Sequence, residues 1–391
     1  MHLGHLSRSA IGTVIGQGLS VLGVLGSARL LGDAAFAELG FGLVTSVMAA
    51  GVASYGPALR AARAAAAGAT AAWRAELWRI AIAAAALGAV ASVSGRLGWL
   101  PFLHDPTHGA AFGALTVGTA LQLTASHVLL GAESFTGLAR IRVLGGVAAA
   151  LGLLAGSALD GSRGAMLGAA LGQVLTAGLM LQHAVKHAPT TAAAPDTNGG
   201  RDAWAFAAAL LAAPALWVPQ LLLAAGPDGA AQSARVTVLA PLLQGVLFLP
   251  GQLGQMLLAP MARARDDGAI VRTATRAAAM AAALPALLLA LSAPWWSRLL
   301  GSAFTGVERV AVPLLLAAGV QGTSVAAVRS LEMRGATRVL AGLNAIAAAV
   351  AIAGTLQFRA AGARGYAWSV CAAFVVHALL LWAVRRRGES R

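Results

Sequence analysis

Arg29 stands near the end of an apolar run that begins at Ile11, and Gln17 lies about three helical turns before it. A guanidinium keeps its charge and binds an oxyanion through two parallel N–H donors, so an arginine at membrane depth is chemistry for an anion. Placing one within a spanning helix costs about 2.5–3.5 kcal/mol at the centre and less near an end, so a partner or a wet cavity is expected. Asp33, four residues on, is one such partner, and snorkelling to the interface is another resolution. Arg235, at the start of a later run, is either a partner for Arg29 from the other half of the chain or a loop residue. Arg60 and Arg63 share one helical face; with Arg142 and Arg329 they serve equally well as an anion-binding mouth or as anchors on the basic side of the membrane.

Uncharged polar groups fall into the same runs. Gln17, Gln122, His127, Gln173, Gln244, Gln252, Gln255, Gln321 and Asn344 can line a path or hydrogen-bond between helices. Trp217 can stack on a ring or simply pack. Pro214 and Pro219 each remove a backbone hydrogen bond from one run, so that helix should bend and is a candidate hinge. The 14 acidic residues all fall in loops, the tail or near run ends. A proton or cation relay ordinarily holds a carboxylate inside the membrane, so this distribution with arginines instead favours an anionic substrate. His104, Asp105 and His108 cluster between two runs, but no metal site is expected there. The lone Cys371 excludes an intramolecular disulfide. No P-loop, Gly-x-Ser-x-Gly or His-Glu-x-x-His pattern occurs, and no loop is large enough to hold catalytic groups. The expectation is a protein that is not an enzyme and needs no cofactor.

The elements that must position these residues are transmembrane helices. The chain is 58% hydrophobic and 11% charged, with a mean hydropathy of +0.76. Twelve apolar stretches, near 10–31, 36–58, 78–100, 110–131, 141–159, 164–185, 204–225, 236–260, 278–300, 309–328, 336–357 and 365–384, are each long enough to cross a bilayer core of about 30 Å. Only helices or closed barrels satisfy their backbone in lipid, and runs this rich in Ala, Leu, Val and Gly are helices. The first is too long for a cleaved signal. The net charge of +14 comes from arginines between spans, which orient helices and meet anionic headgroups, so nucleic acid is not a partner. With both termini on one side, that side carries 20 of the 28 Lys and Arg, which predicts cytoplasmic termini. The tryptophans, Trp217 excepted, fall near span ends, where aromatic belts form. A Pro- and Gly-bearing segment divides the chain into an N-terminal lobe (1–186), a cytoplasmic linker (187–203) and a C-terminal lobe (204–391). Six spans per half make any repeat parallel, with its pseudo-two-fold along the membrane normal and a transport cavity between the halves.

Particular residues sharpen this. Gln17, Arg29-Leu-Leu-Gly32, Phe36, Phe41-Gly42 and Ser54-Tyr55-Gly56, with a span ending at Pro260 and the segment Met333–Ile346, resemble Wzx-like polysaccharide flippases of the multidrug/oligosaccharidyl-lipid/polysaccharide exporter (MOP) superfamily. The chain is slightly short for that family and has almost no lysine. The resemblance implies alternating-access flipping of an undecaprenyl-diphosphate-linked oligosaccharide, an O-antigen, capsule or exopolysaccharide unit, across the bacterial inner membrane. Arg29, Arg235, Arg60, Arg63, Arg142 and Arg329 would meet the diphosphate, and Gln17 and Trp217 the sugar. Its partners would be the lipid-linked oligosaccharide, membrane lipids, and the polymerase and glycosyltransferases of the same pathway. The alternatives are a cation-coupled multidrug exporter of the same superfamily and a lipid II-type flippase.

Overall fold

The computed structural model describes residues 3–187 and 199–389, apart from 55, 67–68, 101, 103–104, 133, 213, 227, 257–267 and 302–303. Tyr55, His104, Pro260, most of the linker and the side chain of Arg63 therefore lie outside the described residues, as do the side chains of Pro214, Gln252 and Gln255. Every regular element described is helical. The chain divides into two compact units, Met1–Gly199 and Gly200–Arg391.

The first unit comprises α1 (Leu3–Ser54), α2 (Pro57–Ala66), α3 (Thr70–Arg96), α4 (Pro106–Gly131) and α5 (Phe135–His187). At 52 and 53 residues, α1 and α5 are each about twice the length a bilayer needs. Each breaks at its midpoint, α1 at Gly32 and α5 at Asp160 and Gly161, with Gly32 (φ 71°) and Gly161 (φ 58°) in the left-handed region. Each is thus a pair of spans that turn at one end of the unit. The helices that meet do so over glycine. A Cβ on Gly16 would strike the Arg142 carbonyl and one on Gly146 the Gly16 carbonyl, so α1 lies backbone to backbone on α5. Gly152 faces Gly168 and Gly156 faces Gly164 across the two halves of α5 in the same way. Lipid supplies no hydrophobic drive between helices, and such small-residue seams supply close packing instead.

The second unit contains α6 (Gly199–Ala212), α7 (Pro214–Ala224), α8 (Gly229–Thr237), α9 (Ala240–Met256), α10 (Gly268–Leu300), α11 (Val307–Met333), α12 (Thr337–Gln357), a 3₁₀ turn (Arg359–Ala361) and α13 (Gly362–Glu389). The seventh expected span covers the end of α6 and α7 as one apolar segment, Phe206–Ala224, with Pro219 carried inside α7. The eighth is two helices, α8 and α9, separated by a turn at Val238 and Leu239. Nine described helical segments are long and apolar enough to cross a membrane, and two of these are the broken α1 and α5. With α4, 26 residues long, they account for the twelve expected spans. The tryptophan belt is only partly realised. Trp78, Trp99, Trp204, Trp295, Trp368 and Trp382 are exposed, but Trp73 and Trp296 are buried, Trp73 in a core formed with Leu77, Val128, Leu138 and Met180.

Candidate functional site

The densest polar cluster of the first unit forms where α1 and α5 turn. Ser162, one residue past the α5 break, donates its hydroxyl to Glu38 Oε2 on the second half of α1 (2.5 Å). His108, in the first turn of α4, places Nε2 3.1 Å from Ser162 Oγ and 3.5 Å from Glu38 Oε2. Its Nδ1 is 3.7 Å from Asp105 Oδ2. Asp105 also accepts from the hydroxyl and backbone N–H of Thr107, each at 2.7 Å. Those bonds, the hydroxyl's foremost, with smaller help from His108 and Arg163, hold its carboxyl below the usual carboxylate range. Arg163 pairs with Asp160 beside it. Of this set only Asp105 and His108 were legible as a cluster in the sequence. Glu38 and Ser162 carried no signal, since both join from distant spans.

The opposite end of the unit holds a second charged group. Glu76, buried in the first turns of α3, accepts from Arg60 Nη2 on α2 (2.9 Å) and from Arg79 Nη1 (2.7 Å). Arg60 is thus committed to a carboxylate. Arg142, a candidate for the basic mouth, lies half-buried on α5 and donates through Nη1 to Thr13 Oγ1 of α1 at 2.8 Å. It joins two helices over the glycine seam. Arg29 and Gln17 are exposed on α1, off the face that packs on α5. The Arg29–Asp33 pair expected at i,i+4 does not form; Asp33 Oδ1 instead accepts from the Ala34 backbone N–H at 2.8 Å, turned back by the break at Gly32.

In the second unit Arg235 lies in the last turn of α8, inside the apolar segment Gly229–Gly251 rather than in a loop. The helix starts earlier than the hydropathy pattern indicates because Asp228 takes a left-handed conformation and turns the chain there. The Arg235 Nε is buried without a hydrogen-bond partner among the described residues. Arg329 pairs with Glu332 at 2.6 Å and lays its aliphatic stem against Gly254. Trp217 is half-buried on α7. Three further polar groups are used between helices: Asn344 donates to the Ala208 carbonyl at 2.9 Å, Gln220 to Thr237 at 3.3 Å, and Gln232 accepts from the Ala363 N–H at 2.9 Å. No group of three His, Cys, Asp or Glu side chains able to hold a metal occurs among the described residues.

These helices and their order define an all-helical protein with the span lengths of a polytopic membrane protein. No protein-family model matches the sequence, and no curated protein matches it. Solved structures do. An inward-facing multidrug resistance MATE family transporter of the MOP superfamily superposes with a TM-score of 0.67 at 14% identity, over 96% of this chain and 98% of its own. A MOP superfamily transporter from Pyrococcus furiosus, described as having a binding pocket of reverse polarity, gives 0.64 at 14% identity over 99% and 95%. The Vibrio cholerae MATE transporter VcmN, in mutant form, gives 0.64 at 18% identity over 99% of each chain. The chain thus has the fold of the MATE transporters of the MOP superfamily along its full length.

Proposed function

We propose that this chain is an alternating-access exporter of amphipathic organic molecules in the cytoplasmic membrane, with both termini cytoplasmic. The observation that supports it best is the match of the whole chain to multidrug transporters, nearly end to end on both sides. An exporter needs no catalytic groups, and the Arg60–Glu76 ion pair and the Arg142–Thr13 hydrogen bond join helices rather than assemble a nucleophile and base. On this reading a cation gradient drives export, the coupling of the multidrug exporter that the sequence resemblance offers as an alternative.

A second reading is supported by the arginines. Arg29 is exposed on α1 and has no ion pair among the described residues, while Arg235 is half-buried on α8 with a buried Nε that has no hydrogen-bond partner among the described residues. Such cationic groups suit an anionic head, as on an undecaprenyl-diphosphate-linked oligosaccharide, and one fold neighbour is noted for a pocket of reverse polarity. The deciding experiment uses the purified chain in proteoliposomes and the gene deletion in its host. Export of a cationic dye, abolished by a protonophore and unaffected by Arg29→Ala, supports the drug exporter. Accumulation of lipid-linked oligosaccharide on deletion, reversed by wild type but not by Arg29→Ala, supports the flippase. Absence of both results would overturn both readings.

A further inference from the structure

Between α12 and α13 the chain reverses within a few residues. Phe358 caps α12, Arg359–Ala361 forms the 3₁₀ turn, and Gly362 (φ 55°) takes the left-handed conformation from which α13 starts. Gly365 completes the approach. A Cβ there would strike the Phe358 carbonyl, so the first turn of α13 lies on the end of α12 with no side chain between them. Beside this contact is a cavity of about 230 Å³, lined by Phe358, Ala361, Arg364, Gly365 and Trp368. Arg364 and Trp368 stand four residues apart on α13 and so share the face that borders it.

Depth, lining and size together specify an occupant. The turn joins two apolar helices long enough to cross a membrane, so the cavity lies where spans end and lipid headgroups begin. Phe358 and Trp368 are 56% and 47% exposed, a large apolar surface beside a single guanidinium. The Arg364 side chain is exposed and makes no ion pair or hydrogen bond among the described residues. It also stands on the side of the membrane that carries the fewer basic residues, where the positive-inside bias gives no reason for it. Pockets that enclose a drug-sized molecule run to about 300–1,000 Å³, so this one takes part of a larger molecule. A negative head at interface depth with an apolar remainder continuing into the bilayer is a phospholipid of net negative charge.

We propose that this cavity binds one anionic phospholipid, its phosphate on Arg364 through two N–H donors and the upper part of an acyl chain on Phe358 and Trp368. Free phosphate has no use for the two aromatic rings, and a zwitterionic lipid brings a second cation to the guanidinium. Arg359 takes no part. It donates to the Ala225 carbonyl at 3.4 Å and borders a separate cavity with Leu222, Leu223 and Gly226. The site is independent of what the chain transports.

Trp368 serves as the reporter. The full chain is reconstituted in phosphatidylcholine vesicles, and phosphatidylglycerol brominated on its acyl chains, which quenches indole fluorescence on contact, is titrated in. The share due to Trp368 is the difference between wild type and Trp368→Phe. Brominated phosphatidylglycerol is expected to half-saturate that share at a mole fraction several-fold below brominated phosphatidylcholine. Arg364→Gln should raise the half-saturating mole fraction about fivefold, the loss of one arginine–headgroup attraction at a membrane surface. Arg359→Gln, an equal change of charge five residues away, should leave it nearly unchanged. All three residues are exposed, so the variants should fold. Equal quenching of Trp368 by the two lipids, or no effect of Arg364→Gln, would overturn the proposal. So would an equal loss from Arg359→Gln, since general surface charge rather than a site would then draw the lipid.

Discussion

Glu76→Ala is the sharpest test of how the first unit is held at the end away from its helix breaks. The carboxylate is only 10% exposed and receives two charge-assisted hydrogen bonds, 2.9 Å from Arg60 and 2.7 Å from Arg79. Removing one partner of a fully buried ion pair costs about 3–5 kcal/mol, because the remaining charge is stranded. Here the arginines are 31% and 68% exposed and can rehydrate, which discounts that figure heavily. About 2 kcal/mol remains, and for a unit of this size that lowers the melting temperature by about 4–8 °C. Arg60→Ala should cost less, since it leaves Glu76 paired with Arg79, and the double-mutant cycle between Arg60 and Glu76 should return a coupling of about 1 kcal/mol. Thermal unfolding of the detergent-solubilised protein, followed by intrinsic tryptophan fluorescence, reports on this region directly because buried Trp73 lies one turn before Glu76. A melting temperature for Glu76→Ala within 1 °C of wild type, or a coupling near zero, would refute the assignment of Arg60 to structure and return it to the substrate path.

Gly168→Leu should abolish folding or reduce the yield of monodisperse protein several-fold, because its side chain would meet the Gly152 backbone across the α5 hairpin; size-exclusion profiles after solubilisation would check this, and normal yield would contradict the glycine seam. Asp105→Asn bears on the acid limb. The folded carboxyl titrates below the usual range, so its contribution is present above the unfolded value, near 3.8, and is lost as pH falls through the lower folded value. Wild type should therefore lose stability more steeply than Asp105→Asn between pH 5 and pH 3, the difference being small for so exposed a group, and parallel curves would contradict the Thr107 bonds as its cause.

The membrane character of the chain, its helical class and the number of spans were legible from residue order alone. Apolar length is a local property, and in lipid a run of that length has no alternative to satisfying its own backbone as a helix. The break at Gly32 sits between two expected spans, and the one at Asp160 and Gly161 does likewise, so even these turns were visible as gaps in hydropathy. Pro214 and Pro219 signalled a bend in the seventh span, and Pro219 lies inside α7. Partners were not legible. Arg142 reaches Thr13 across 129 positions, Ser162 reaches Glu38 across 124, and Arg60 turns to Glu76 rather than outward to a substrate. Arg29 had a sequence neighbour of opposite charge four residues on, yet the helix break directed Asp33 to the backbone. Which polar groups meet depends on which helix faces approach closely, and that is decided by shape, by glycine lying on glycine along whole seams. Spacing along one helix carries no information about the rotation of the next, so only the tertiary structure could bring His108, Ser162 and Glu38 to one point.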